Sequence, residues 1–132
     1  MRILADTNIL ISALQYPESK PAIALLHAAR HHNLVLSDYN INELRRVVSA
    51  KFSQLYPDID RFLAELSFEL IMAPASFETR MEDPNDSPIL GAAISSDVDV
   101  IISGDKHFLR LDLCRPQTIT AAQYLETVKK NQ

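Results

Sequence analysis

Apolar and polar positions along this chain follow two different periods, and the changes from one to the other mark its elements. Ile3-Leu4-Ala5 is an unbroken apolar run that ends at Asp6. Ile9, Leu10, Ala13 and Leu14 then form a helical stripe reaching about Gln15. The pattern predicts a strand over Arg2 to Ala5 and a helix directly behind it, with Asp6 at the joint. Tyr16-Pro17-Glu18-Ser19 breaks the stripe, and Pro21 opens a second helix through Ile23, Leu25 and Leu26 to about His31. Leu34-Val35-Leu36 reads as a second buried strand. Ser37 or Asp38 can cap the third helix, whose buried face carries Ile41, Leu44, Val47 and Val48.

A fourth helix is expected after Tyr56-Pro57, through Ile59, Phe62, Leu63 and Leu66, leading into a third strand at Glu69-Leu70-Ile71-Met72. Pro74, Pro84 and Pro88 bound a loop region. Pro88 suits the first turn of a helix over Ile89, Leu90, Ala92, Ala93 and Ile94, with Asp86 or Ser87 at its start. Val98 to Ser103 is the clearest strand and ends at Gly104-Asp105. Leu109, Leu111 and Leu113 are assigned to a short helix or turn, and Thr118-Ile119 to a small last strand. A helix from Ala121 to about Lys129 follows, and Lys129 and Lys130 suit its negative dipole end. Strands alternating with helices predict an α/β domain with a parallel sheet covered on both faces. A strand so near the start of the chain belongs at the centre of such a sheet. Asp6 would then face the crevice at the carboxyl ends of the strands, where open sheets bind ligands.

Composition narrows this picture. With 132 residues and 47% hydrophobic content, the chain reads as one domain over residues 1–132, able to bury a core without disulfides. Cys114 is its single cysteine, which excludes an intramolecular disulfide and leads to the expectation of a reducing, cytoplasmic location. The apolar run behind Arg2 is too short for a signal peptide, and no run approaches the roughly 20 residues of a membrane span. Gly91 and Gly104 are the only glycines, which excludes a glycine-rich phosphate loop. Seventeen acids against thirteen bases give a net charge of -4, which argues against bulk attraction to nucleic acid. Clustered acids that hold a divalent cation invert the local sign, however, so an acidic chain can still receive a phosphate.

Four acids share such a placement. Asp6 and Asp105 each follow an apolar run and should emerge at the carboxyl edge of the sheet. Asp86 stands before a proline-started helix whose positive end favours an ionised carboxylate. Glu43 lies about one turn into its helix, beside Leu44 and four residues before Val47, at the border of the buried face. Carboxylates brought together repel, and some would take up protons unless a cation compensates them. Oxygen-only ligands select hard ions such as Mg2+ or Mn2+, which can drive phosphodiester hydrolysis. Metal-dependent cleavage of a nucleic acid strand is therefore the expected reaction.

Asp6-Thr7-Asn8 behind the first strand, Glu43 in the third helix, Asp83-Pro84-Asn85-Asp86-Ser87-Pro88-Ile89-Leu90 and Ile102-Ser103-Gly104-Asp105-Lys106-His107-Phe108-Leu109 together resemble the PIN domain family. The resemblance spans essentially the whole chain. It implies a three-layer α/β/α domain with a central, mainly parallel sheet of four to five strands. It also implies ribonuclease activity on single-stranded RNA with Mg2+ or Mn2+, frequent homodimers, and often a role as the toxin of a toxin-antitoxin pair. The family's three acids match Asp6, Glu43 and Asp86, and its supporting acid matches Asp105. Thr7 and Asn8 match positions that support the first acid, and Ser103 a hydroxyl at the site rim. Ser87-Pro88 departs from the polar or basic residues many members carry there.

Each residue also has a plainer role. Asp6 fits a helix cap, Asp86 a cap before Pro88, and Asp105 a turn behind Gly104. Glu43 fits an i, i+3 surface pair with Arg46. Asp83 and Asp99 read as structural, His27, His31 and His32 as late helix positions that favour the dipole, and Cys114 as a packed small residue. Lys106 and Arg46 are the bases assigned to the phosphate backbone, Lys106 first because it follows Asp105, with His107 as a rim residue. Two other functions fit parts of the pattern. A phospho-acceptor receiver domain shares the acidic pocket, but Met72-Ala73-Pro74 stands where its acceptor acid would be. A non-catalytic metal- or RNA-binding module would keep the acids without turnover.

Overall fold

The computed structural model describes residues 1–74, 87–111 and 115–130. Five strands form one sheet: β1 (Arg2–Ala5), β2 (Asn33–Ser37), β3 (Glu69–Ile71), β4 (Val100–Ile102) and β5 (Gln117–Ile119). Their order is β3-β2-β1-β4-β5, and every neighbouring pair is parallel. Ile3 lies opposite Leu34 of β2 on one side and Val100 of β4 on the other, so β1 is the central strand. The chain builds outward from β1 through β2 to β3, then returns to the far side of β1 for β4 and β5. The order thus reverses beside β1, which places the crevice at the end of β1, where Asp6 stands.

The helices are α1 (Thr7–Gln15), α2 (Lys20–His31), α3 (Asp38–Lys51), α4 (Ile59–Glu65), α5 (Ser87–Ser95), α6 (Lys106–Leu109) and α7 (Ala121–Lys130). Successive strand residues serve opposite faces of the sheet. Ile3, Ala5, Leu34, Leu36, Val100 and Ile102 pack with buried residues of α1, α2, α3, α4 and α7. Leu4, Val35 and Ile101 pack on the other face with Ile89, Leu90, Ala92 and Ala93 of α5 and Phe108 of α6. Burial on both faces explains why these strands read as continuous apolar runs. The architecture is the expected three-layer α/β domain, with all five strands parallel. Truncating a fully buried residue such as Leu4 or Ile101 would cost about 2–5 kcal/mol.

Three boundaries differ from the sequence reading. β4 starts at Val100 rather than Val98, because the end of α5 uses the intervening residues: the Val98 N–H donates to the Ala93 carbonyl at 2.9 Å and the Asp97 N–H to Ile94 at 3.2 Å. Asp97 takes a left-handed φ of 58° in this closure, a place more often held by glycine. A 3-10 helix over Ser53–Asp58, containing Pro57, precedes α4. The short helix near Leu109 is α6, so Leu111 lies beyond it and Leu113 falls outside the described residues. Among the described residues no helix is long and apolar enough to cross a membrane.

Candidate active site

Asp6 is set by the sheet before its side chain acts. Its N–H donates to the Ile102 carbonyl at 2.9 Å, extending the β1–β4 pairing one residue beyond the strand. The residue is 2% exposed and caps α1, one carboxylate oxygen accepting the Thr7 N–H at 2.8 Å. The other oxygen accepts the Ser103 hydroxyl at 2.8 Å. Ser103 Oγ in turn accepts the Asp105 N–H at 2.9 Å, and Asp105 caps α6 by accepting the His107 N–H at 2.8 Å. The cap role expected of Asp6 is therefore present, and Asp105, read from the sequence as a turn residue behind Gly104, caps α6; both stand at one edge of the sheet. Ser103, completely buried, is the link between them.

Glu43 approaches from the other side, on α3. Its side chain is only 14% exposed, and Arg46 stands 3.5 Å away, so the i, i+3 pair exists at the border of the buried face. The start of α3 is tied to the same joint. Ser37 caps it through a capping box with Asn40, and the Asn40 amide donates to the Ala5 carbonyl at 3.3 Å and to Thr7 Oγ1 at 3.2 Å. Thr7 is buried, whereas Asn8 is exposed and is not a partner in these bonds. Lys106 is exposed at the first turn of α6, and Arg46 is exposed beside Glu43. Asp83, Asp86 and Cys114 lie outside the described residues.

The electrostatics follow from this enclosure. Burial pushes the Asp6 carboxyl up from 3.8 to about 6; repulsion from Glu43 and Asp105 adds to the rise, and the bonds from Ser103 and Thr7 oppose it. Both hydrogen-bond donors to Asp6 are uncharged, and each of its oxygens keeps a second lone pair. Among the described residues no three His, Cys, Asp or Glu side chains stand close enough to hold a metal ion, and Asp86 falls outside that set. The chemistry of the donors is nonetheless that of a hard cation: carboxylate oxygens around an acid that burial, with a smaller contribution from the other acids, makes costly to ionise.

Asn40 is the site-edge residue that sequence reasoning missed. A polar residue at a core-facing helix position reads as a surface residue unless its distant partners are known. Elsewhere, Asp99 is structural as expected, accepting the Arg2 N–H at 2.8 Å. His27 Nδ1 lies 2.6 Å from the Tyr124 hydroxyl and its ring stacks on His31, joining α2 to α7. A separate apolar groove of about 230 Å3 runs between α1, α2 and α4, lined by Ala13, Leu14, Leu25, Leu26, Phe62 and Leu66, with Asp58, Arg61 and Glu65 also bordering it.

A family model for the PIN domain matches residues 2–107, a span that contains Asp6, Glu43, Asp86 and Asp105. Among solved structures, the chain is similar to the crystal structure of VapBC2 from Rickettsia felis bound to a DNA fragment from their promoter. The TM-score is 0.69 at 21% identity, covering 90% of this chain and 97% of that one. It is also similar to VapBC-1 from nontypeable Haemophilus influenzae, with a TM-score of 0.65 at 20% identity over 92% of this chain and 99% of that one. At these identities the likeness is one of fold. No curated protein matches the chain.

Proposed function

The chain belongs to the PIN domain family, and from that premise we propose that it is a metal-dependent endoribonuclease hydrolysing phosphodiester bonds of single-stranded RNA. The observation that carries this reading is Asp6 itself. It is a buried carboxylate at the switch point of the sheet, raised to about 6, bonded by neutral donors and repelled by Glu43 and Asp105. Asp6, Glu43, Asp86 and Asp105 would hold Mg2+ or Mn2+. The chemistry that such a cation supplies when bound is Lewis acidity toward a water nucleophile and the scissile phosphate. Ser103 and the Thr7 N–H orient the Asp6 carboxylate, and Lys106 and Arg46 offer positive charge to the RNA backbone.

Incubating the purified protein with a mixed set of single-stranded RNAs in Mg2+, Mn2+ or EDTA tests this function. Cleavage that requires the metal and is lost in Asp6→Asn is the expected result. Cleavage that persists in EDTA would contradict it. Binding of Mn2+ without turnover on any RNA would favour the non-catalytic module. A receiver function lacks its acceptor, since Met72-Ala73-Pro74 follows the end of β3.

The partners that belong to this reading are a small antitoxin protein and a second copy of the chain, with the protein acting as a toxin in the cytoplasm. Fold likeness to two VapBC structures supports an antitoxin. The apolar groove between α1, α2 and α4 is the surface on which an apolar antitoxin segment would seat, its rim of Asp58, Arg61 and Glu65 supplying charges of both signs. Co-expression with the product of an adjacent small reading frame, followed by co-purification, checks the antitoxin, and light scattering checks the dimer.

A further inference from the structure

We propose that Asn40 is the positioning residue for Glu43: its buried amide locks α3 to the β1–α1 joint and thereby sets where the Glu43 carboxylate stands relative to Asp6. Asn40 is completely buried. Its Oδ1 accepts from the Ser37 N–H at 3.0 Å and from the Ser37 hydroxyl at 2.7 Å, while its Nδ2 donates to the Ala5 carbonyl at 3.3 Å and to Thr7 Oγ1 at 3.2 Å. All four hydrogen-bonding positions of the amide are therefore used. The two halves do different things. The Oδ1 half closes the capping box of α3, a local matter that any helix start can satisfy.

The Nδ2 half reaches across to residues 35 and 33 positions earlier in the chain, on either side of Asp6. Glu43 follows Asn40 by three residues, so it lies on the same side of α3 one turn further on. Fixing Asn40 against Ala5 and Thr7 fixes the rotation and approach of α3, and with them the Glu43 charge that acts on Asp6. Leu44 and Val48, completely buried, turn the same helix to the core, and the Nδ2 bonds tie its first turn to the residues that flank Asp6. Outer-shell groups of this kind hold ligand carboxylates in register for a cation.

The inference rests on the metal-dependent reading of the site, and the test separates the two. Mn2+ affinity is measured by calorimetry, beside thermal melting, for the parent protein, Asn40→Ala and Ser37→Ala. Ser37→Ala removes the cap hydroxyl but leaves the Nδ2 half in place. Both variants should melt lower, while Asn40→Ala alone weakens Mn2+ binding, by about tenfold to a hundredfold. Equal Mn2+ affinity in Asn40→Ala and Ser37→Ala would overturn the assignment. If Asn40→Ala fails to fold, Thr7→Val keeps the side-chain shape and removes one acceptor of the Nδ2 half; unchanged Mn2+ affinity there would count against the proposal in the same way. Amide hydrogen exchange on the metal-free proteins reads the lock without any metal. Asn40→Ala should speed exchange in the first turn of α1 as well as in α3, and Ser37→Ala in α3 only. A parent that binds no Mn2+ would remove the nuclease reading, while the exchange pattern would still decide whether Asn40 couples the two elements; unaltered exchange in α1 would overturn it.

Discussion

At the amino edge of the sheet Glu69, Asp97 and Asp99 each meet an arginine, whereas at the carboxyl edge Asp6 meets two neutral donors and two further acids. Arg2 grips Glu69 with both terminal nitrogens, at 2.8 and 3.1 Å. Arg115 reaches Asp97 at 3.0 Å and Asp99 at 2.7 Å. The Arg2 side chain holds the Glu69 carboxyl below its ordinary value, and the Arg2 backbone N–H, helped by Arg115, does the same for Asp99. Burial, followed by the repulsion of Glu43 and Asp105, drives Asp6 the opposite way. Both edges belong to the same short strands. The chain's own cations satisfy the acids at the amino edge, and these acids need nothing more. At the carboxyl edge the fold tolerates an acid that it disfavours in the ionised form, which is the arrangement expected where an external cation completes the site.

The largest effect should come from Asp6→Asn. RNA cleavage per folded molecule should fall by more than about a hundredfold, beyond the loss typical of an outer-shell partner. The same substitution should stabilise the metal-free protein at pH 7. The gap between 3.8 and about 6 corresponds to an upper bound of about 3 kcal/mol, reduced by whatever the amide loses in its bond with Ser103. Urea denaturation of both proteins in EDTA checks this. An inactive variant less stable than the parent would show that Asp6 is an ordinary structural cap, and the contrast between the edges would collapse.

The second effect is a pH dependence of opposite sign at the two edges. Between about 4 and about 6 the folded protein holds a proton on Asp6 that the unfolded chain has released, so this group makes metal-free stability fall as pH rises through that window. The paired acids Glu69 and Asp99 have depressed values, so their contribution is complete above the ordinary carboxylate range and is lost as pH falls below it. Denaturation at pH 4.5 and 7 in EDTA, compared between the parent and Asp6→Asn, isolates the Asp6 component; saturating Mn2+ should remove the parent's loss at pH 7.

The pattern of apolar runs marked β1, β2 and β4 most plainly, since their inner residues are buried on both faces and read as apolar runs, whereas the edge strands β3 and β5 expose polar residues and leave a weaker signal. It also placed Asp6 and Asp105 at strand ends, because the joint between a strand and a helix is visible locally. The sequence could not show what depends on partners far along the chain. Arg2 with Glu69 spans 67 positions and Asp6 with Ser103 spans 97, so which acids are paired with cations became visible only in the fold. Asn40 was invisible for the same reason. The start of β4 was misread because Asp97, rather than a glycine, takes the left-handed turn that closes α5.

Two smaller effects sharpen the comparison. Lys106→Ala should weaken RNA binding a few-fold and lower the salt dependence of affinity by about one counterion, as measured by fluorescence anisotropy across salt concentrations. An unchanged salt slope would remove Lys106 from the RNA surface. Asp99→Ala should lower the melting temperature, chiefly through the bond it accepts from the Arg2 N–H since the exposed Arg115 pair contributes little, and leave RNA cleavage per folded molecule at the parent rate, because it lies at the opposite edge from Asp6.

The most direct test of the difference between the edges is a calorimetric titration of Mn2+ into the metal-free parent and into Asp6→Asn at pH 7. The parent should bind with release of the proton fraction held by Asp6, and the variant should bind far more weakly or without measurable heat. Equal Mn2+ affinity in the two proteins would contradict the account, because the buried carboxylate would then have no part in receiving a cation.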